Sequence, residues 1–545
     1  MEEDKIIVQN TSIIINNYNM GDSSELEDIF RIYDPATHKC QIFGMYYEEK
    51  SKRLFLPSGL DLWKIRQYFN QKYYKRKNHH DFQMINDIMI KYKPRDEQQQ
   101  EALRFMVGVG EFENNSYNPQ LSVNLNTGKG KTYCSIATIC YFKIKSIIIA
   151  ASNSLLSQWK SEIIHYTNIK PNEVISLTGS DSINMILMGK SKKAQDGKIF
   201  LCNHSTLKSF GDNYGWDNVY KLFEILGIGL KFYDEAHTNF ENMLMIDFFT
   251  NVYKTYYVTA TPGRSNWKEN RIFQLSLKNV PGIDLFDENN DPHTGYVAIK
   301  WNSRPTPQDL SRCRNMYGLD RMKYVDYITR NLNFYAMMHI IMELVIKCKG
   351  RCLFYIGTNE GILRVYYWMA NNYPEFIGDI GIFTSLLSKE EKLKEKNKKL
   401  LLSTTKSAGL GEHIEGLKMT IVLAEPFKSE IIARQTLGRT RDPNTIYIEL
   451  VDMGFRQIQK FYYSKLPIFN KYANDVSDTI IDQYELKRRA ELIIDNRRTK
   501  AEIPIELGDP RFDFESVIPK SNKDIGKPEV PIEFIDDPID LNKIF

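Results

Sequence analysis

Three groups of side chains in this sequence stand where phosphate chemistry would need them. Lys131 and Thr132 close the run Leu125-Asn126-Thr127-Gly128-Lys129-Gly130. Glycines there let backbone N–H groups turn toward an anion, and a helix starting at this point adds the positive end of its dipole. The lysine would reach terminal phosphates and the threonine hydroxyl a divalent cation. The second group is the adjacent pair Asp234 and Glu235, followed by His237. Two neighbouring carboxylates at the end of an apolar run are costly without a cation. With Mg²⁺ present, Asp234 would hold the metal while Glu235 takes a proton from an attacking water. The third group is Arg439 with Arg441, in Gln435-Thr436-Leu437-Gly438-Arg439-Thr440-Arg441. An arginine is the usual counter-charge for a phosphoryl transition state.

These residues need a frame that presents strand ends side by side. Residues 121–125 alternate like a strand, and Tyr133 to Cys140 read as an apolar helix. Short apolar runs at 146–151, 198–202, 230–233 and 255–258 read as strands buried on both faces of a parallel sheet. Thr259 and Thr261 close the last of these. A second such set begins near Tyr296, with strands expected at 351–356, 379–383, 399–403, 420–423 and 445–450 and a long helix through Phe334 to Val345. The charged stretch 388–399 reads as a solvated helix. The fold class is therefore α/β with two tandem parallel-sheet domains, a small α+β N-terminal domain and an extended acidic C-terminal tail.

The expected division is 1–93, an accessory domain; 94–295 and 296–480, the two sheet domains; and 481–545, a helical extension and tail. Lys93-Pro94 marks the first boundary. Residues 64–95 interleave cations with aromatics, including Tyr73, Tyr74, Lys75, Arg76 and Lys77, a pattern that suits nucleic acid as well as a plain solvated surface. After Pro467 the pattern reads as helical. The last 45 residues carry eleven Asp/Glu against five Lys/Arg, a composition too poor for a core but suited to an extended tail that a protein partner could take.

The 545 residues carry a net charge of +4, a 42% apolar share and seven scattered cysteines. No apolar run reaches the roughly 18 residues of a membrane span, and the acidic N-terminus lacks the form of a signal peptide. No membrane partner, no structural metal and a reduced, cytoplasmic setting are expected.

Taken as an ordered set, the motifs resemble those of superfamily 2 helicases, over roughly residues 94 to 465. Leu125 to Thr132 resembles motif I, Asp234-Glu235-Ala236-His237 motif II, Thr259-Ala260-Thr261 motif III and Gln435 to Arg439 motif VI. Asn203 to Leu207 is similar to motif Ib, Gly357-Thr358 to motif IV and Ser403 to Gly411 to motif V. Leu155-Leu156-Ser157-Gln158-Trp159 resembles a segment of the branch that includes eukaryotic XPB and the phage UvsW-like recombination and repair helicases. The resemblance implies two RecA-like domains and an ATP-driven DNA helicase or translocase, with an RNA helicase of viral transcription as the alternative. A non-hydrolysing scaffold would lack catalytic groups that are present here. A restriction or nuclease motor would need carboxylates that Asp482 and Glu485 supply only faintly.

Carried over residue by residue, the resemblance implies ATP and Mg²⁺ as cofactors. Gln98 or Gln99 would read adenine. Thr127, Gly128, Lys129, Gly130, Lys131 and Thr132 would hold phosphates, with Thr132 and Asp234 on the metal. His237, Thr259 and Thr261 would couple nucleotide state to nucleic acid. Gln435 and Arg439 would touch the γ-phosphate. Asp442 stands where the family has its second arginine, leaving Arg441, one residue earlier, as the candidate. Asn153, Ser205, Thr206, Thr358 and Thr404 would contact the strand's phosphates. His413 occupies the place of the aspartate that ends motif V. Usage rich in Lys, Asn and Ile points to an AT-rich genome, such as that of a phage.

Overall fold

A computed structural model describes residues 5–34, 39–125, 129–191, 194, 196–236, 239–259, 267–285, 294–316, 318–384, 387–408, 414–437 and 445–499. The chain divides into two compact units at Asp287/Glu288.

The first unit is built on a seven-stranded sheet. Its strands are β1 (Gln120–Asn124), β2 (Ser146–Ala150), β3 (Val174–Leu177), β4 (Ile199–Asn203), β5 (Leu230–Asp234), β6 (Lys254–Thr259) and β7 (Gly282–Asp284). They lie in the order β3-β4-β2-β5-β6-β1-β7, and every pairing is parallel. Successive side chains alternate between faces. Phe232 and Tyr256 stack on one face at 4.7 Å, Tyr233 and Tyr257 on the other at 5.6 Å. On the first face pack α1 (Glu97–Val107), α2 (Lys131–Phe142) and α3 (Asn153–Tyr166); on the second pack α4 (His204–Tyr214) and α5 (Phe240–Phe248). Burial on both sides explains why the central strands read as unbroken apolar runs.

One buried charge interrupts this pattern. Lys231 on β5 is fully buried and paired with Asp247 of α5. The hydroxyls of Tyr233 and Tyr257 also donate to Asp247, at 2.8 and 2.7 Å. Such a pair survives burial because its remaining lone pairs are satisfied.

The N-terminal residues form a five-stranded sheet of 6–8, 12–15, 46–48, 53–57 and 75–76. Ile13, Ile15 and Phe55 share one core with Phe248 and Phe249 of the first unit. The segment before Pro94 is thus part of the same compact unit, and its boundary is a change of course rather than a gap between cores. Between residues 64 and 95 the helix Leu62–Tyr68 ends early, and Lys75–Arg76 adds an edge strand parallel to Ile6–Val8.

The second unit repeats the plan. Its strands are β8 (Thr294–Trp301), β9 (Arg351–Ile356), β10 (Ile380–Phe383), β11 (Leu400–Ser403), β12 (Leu417–Ala424), β13 (Thr445–Asp452) and β14 (Asp475–Ile480). Their order is β10-β11-β9-β12-β13-β8-β14, again all parallel. In both sheets the spatial order is therefore third, fourth, second, fifth, sixth, first and seventh strand, which is the tandem arrangement expected. The helices used below are α6 (Arg321–Ile328), α7 (Leu332–Lys347), α8 (Asn359–Asn372), α9 (Glu430–Leu437) and α10 (Gln483–Thr499).

One expectation for this unit is corrected. The region after Pro467 is not wholly helical: Pro467 sits inside the helix Arg456–Tyr472, and β14 follows. Within 388–399 the helix Lys389–Glu395 forms, capped by Ser388, while the Glu395 carboxylate turns inward to accept the Ile382 N–H at 3.0 Å. The tail from residue 500 lies outside the described residues. Among the described residues no helix is long and apolar enough to cross a membrane.

Candidate nucleotide and nucleic-acid site

Lys129, Gly130, Lys131, Thr132, Asn153, Ser205, Thr206, Asp234, Glu235 and Thr259 gather at the C-terminal ends of the parallel strands of the first unit, where open α/β sheets bind ligands. The chain leaves β1, passes Lys129 and Gly130, and enters α2 at Lys131. Gly130 has φ +89, and a Cβ on it would lie 2.2 Å from the Gln99 amide nitrogen. Only glycine fits both demands. Gln99, buried on α1, accepts the Arg95 N–H at 2.8 Å and donates to the Lys129 carbonyl at 3.2 Å. Of the two glutamines proposed for adenine, Gln99 is the one held against this turn. Thr132 lies half-buried in the first turn of α2. Asn126, Thr127 and Gly128 lie outside the described residues.

Two strands away, β5 ends at Asp234 and Glu235. The Lys131 Nζ stands 3.4 Å from a Glu235 carboxylate oxygen, with both side chains largely buried. Glu235 takes φ +52, a left-handed conformation that costs a non-glycine residue on the order of 1 kcal/mol and clusters at functional sites. Asp234 is buried, and its carboxylate accepts the Trp159 indole N–H at 2.8 Å. Burial first, then the Glu235 charge, push the Asp234 carboxyl up to about 6; Lys131 and the Trp159 hydrogen bond oppose them. A carboxylate strained in this way is one that a cation would relieve.

Among the described residues no cluster of three or more His, Cys, Asp or Glu stands ready for a metal. A divalent cation here would take Asp234, the Thr132 hydroxyl and otherwise phosphate or water oxygens. That donor set suits Mg²⁺, which keeps few protein ligands. Between β1 and β5 runs β6, ending at the buried Thr259, whose carbonyl accepts the Leu125 N–H at 3.0 Å. The strand thus ties the phosphate turn to the carboxylates. His237 and Thr261 lie outside the described residues.

Further along the same edge the polar candidates are linked. Asn203 ends β4 and caps α4. Its carboxamide oxygen accepts the Thr206 N–H at 2.7 Å and the Ser205 hydroxyl at 2.9 Å, while its amide donates to Asn153 at 2.8 Å. One residue therefore organises Asn153, Ser205 and Thr206. Neither Asn203 nor Trp159 was among the candidate site residues. An Asn followed three residues later by Thr at a strand-to-helix junction was the available signal for the first. The second stands in the Leu155 to Trp159 segment without a role there, and its signal was a tryptophan N–H that needs a partner once buried.

In the second unit, Thr358 caps α8, accepting the Gly361 N–H at 3.0 Å. Thr404 follows β11 and accepts the Ser407 N–H at 3.1 Å. Beside it the buried Glu425 accepts the Thr405 N–H at 2.9 Å and pairs with Arg321. Gln435 lies on α9, while Arg439 and Arg441 lie outside the described residues, as does His413. Glu485 is tied to Arg488 and Arg489 on α10, so it belongs to a charged helix surface.

Residues 91–264, from just before α1 to just past β6, match the model of the family described as "Type III restriction enzyme, res subunit". Over 381 residues the chain is 23% identical to "Putative helicase 161L" of Invertebrate iridescent virus 6, covering 66% of this chain and 78% of that protein. Among solved structures it is similar to UvsW of T4, at 12% identity and a TM-score of 0.33, over 87% of this chain and 99% of the other. It is also similar to S. cerevisiae Dbp5 bound to RNA and ADP BeF3, at 13% identity and a TM-score of 0.48, over 73% and 93%.

Proposed function

We propose that this chain, a helicase of the superfamily 2 type, hydrolyses ATP to move on DNA or remodel it, acting on duplex or branched DNA in replication, recombination or repair. The observation that carries the reading is the approach of Lys131 to Glu235, with Asp234 beside them, above a parallel sheet and next to a glycine turn.

Each residue has a task in this proposal. Backbone N–H groups of the turn and the start of α2 hold the phosphates. Lys131 neutralises the terminal phosphate, and the Glu235 carboxylate orients a water and takes its proton. Gln99 fixes the turn and faces the adenine. Thr132 and Asp234 would hold Mg²⁺, which would supply positive charge against the phosphates. Asn153, Ser205 and Thr206, drawn together by Asn203, grip phosphates of the strand, as do Thr358 and Thr404 in the second unit. Contacts of this type carry no sequence information.

The exposed Tyr73, Tyr74, Lys75 and Arg76 at the edge of the N-terminal sheet are proposed as a further DNA contact. The test is the ATPase rate with single-stranded, forked and four-way DNA and with RNA. Stimulation by DNA supports the reading, and stimulation by RNA alone overturns the choice of DNA.

A further inference from the structure

The second unit contains a cavity of about 990 Å³ that, apart from Thr358 in its lining, the roles above leave unused. It arises from an unusually long connection. Between β8 and α7 the chain makes a short helix at Pro307–Arg312, a two-residue hairpin pairing 314–315 with 318–319, and then α6. The end of the short helix, α6 and the segments 303–304 and 330–333 stand around a hollow beside Thr358, at the start of α8.

The floor is firmly tied. The Asn331 amide donates to the Ser303 carbonyl at 3.1 Å and to the Tyr327 hydroxyl at 3.0 Å, while its oxygen accepts the N–H groups of Asn333 and Phe334. The Ser303 N–H donates to the buried Asp452 at 3.1 Å.

The charges around this hollow are unbalanced. Its lining holds four cations, Arg304, Arg312, Lys323 and Arg330, against two acids, Asp326 and the exposed Glu360. Asp326 is taken by Arg330 and Arg364, at 3.1 and 2.7 Å, and Arg321 is taken by Glu425. Lys323 is only 3.9 Å from Asp320. Arg304 and Arg312 line the cavity and are in no ion pair among the described residues. Arg304 is held at φ +57, its N–H donating to Asn302 at 2.7 Å. The walls between these cations, Met322, Tyr327 and Leu332, are largely apolar.

A cationic rim around an apolar, hydrogen-bonded hollow fits a nucleotide: phosphates at the rim, sugar and base within. The volume lies near the upper end of ordinary ligand pockets, roughly 300–1,000 Å³, far more than a lone phosphate needs. We propose that this cavity receives a nucleotide unit of the bound nucleic-acid strand, with Arg304, Arg312 and Lys323 on its phosphates. The inference deepens the proposed function and rests on it for the choice of a polynucleotide.

The test is the triple variant Arg304→Gln, Arg312→Gln, Lys323→Gln, all at exposed side chains, with thermal melting to verify folding. Binding of fluorescein-labelled single-stranded DNA and RNA 20-mers is followed against KCl concentration. Three lost contacts predict a slope of log K on log salt flatter by about 2, with ATP hydrolysis in the absence of nucleic acid unchanged. An unchanged slope with both polymers overturns the proposal. A second arm titrates a labelled mononucleotide into Lys131→Ala protein with and without the three changes. If the triple change removes mononucleotide binding and leaves the strand's slope intact, the cavity serves a free nucleotide and the strand proposal is overturned. The ATPase stimulation assay reads the proposed function separately, since its outcome does not depend on the salt slope.

Discussion

The Trp159 indole N–H donates to the Asp234 carboxylate across 2.8 Å, and both side chains are buried. The contact orients the carboxylate and helps to keep it ionised against its burial. Hydrogen bonds to charged groups contribute about 1.5–3 kcal/mol, and residues that orient metal ligands typically affect activity about 10–100-fold. Trp159→Phe keeps most of the packing and removes the donor. Steady-state ATPase at saturating Mg²⁺ is expected to fall by about 10–100-fold with the melting temperature little changed. Wild-type turnover would remove Trp159 from the site.

Gly130 and Gln99 are fitted to each other. Gly130→Ala places a methyl group against the Gln99 amide and asks alanine to adopt a positive φ. ATP affinity, measured with a fluorescent nucleotide, is expected to weaken on the order of tenfold, or about 1.4 kcal/mol. In a Gln99→Ala background the same change should cost less than the sum of the two single effects. Strict additivity would show that the two residues do not share the turn.

His204 gives the first unit an acid sensitivity. Its ring is fully enclosed, stacks on Tyr233 with centroids 5.7 Å apart, and has no hydrogen-bond partner for either nitrogen among the described residues. Burial pushes its pKa down to about 4, from 6.5 in the unfolded chain. Below pH 6.5 the unfolded chain therefore binds a proton that the folded chain refuses, so stability falls as pH drops and is fully lost from this source near pH 4. At pH 5 the loss amounts to about 2 kcal/mol. His204→Phe should narrow the difference in urea-unfolding free energy between pH 7.5 and pH 5 by about that amount. An unchanged difference would mean that the imidazole reaches solvent.

At the edge of the N-terminal sheet, Lys75, Arg76 and Lys77 are exposed, with Lys77 4.9 Å from the Tyr220 ring centre. If this edge meets DNA, changing all three to Gln should flatten the salt dependence of single-strand binding by about 2 in log–log slope. The same slope in variant and wild type would leave the patch as solvated surface.

The strands that were legible in the sequence are those buried on both faces. β9 matches its expected bounds residue for residue, and β2, β4, β5 and β6 differ by one or two. The strands missed, β3, β7 and β14, all lie at sheet edges. β14 reads Asp-Val-Ser-Asp-Thr-Ile and is almost wholly exposed, so no apolar run announces it; its pairing with β8 comes from the sheet. The same limit holds at the site. Lys131, Asp234 and Glu235 are legible because local spacing sets their places. The Trp159 and Asn203 hydrogen bonds join residues up to 75 positions apart, a relation no spacing contains. The sharing of one core by Phe55 and Phe249 was hidden for the same reason.

The central claim is that Lys131, Asp234 and Glu235 form a site that binds ATP and cleaves it. Glu235→Gln removes the proton acceptor while keeping the side chain's size. Its most direct measurement is a pair of assays on the same protein with DNA present: equilibrium binding of ATP and single-turnover hydrolysis. Binding near the wild-type level with hydrolysis reduced at least about a hundredfold is the result expected. Hydrolysis at the wild-type rate would contradict it.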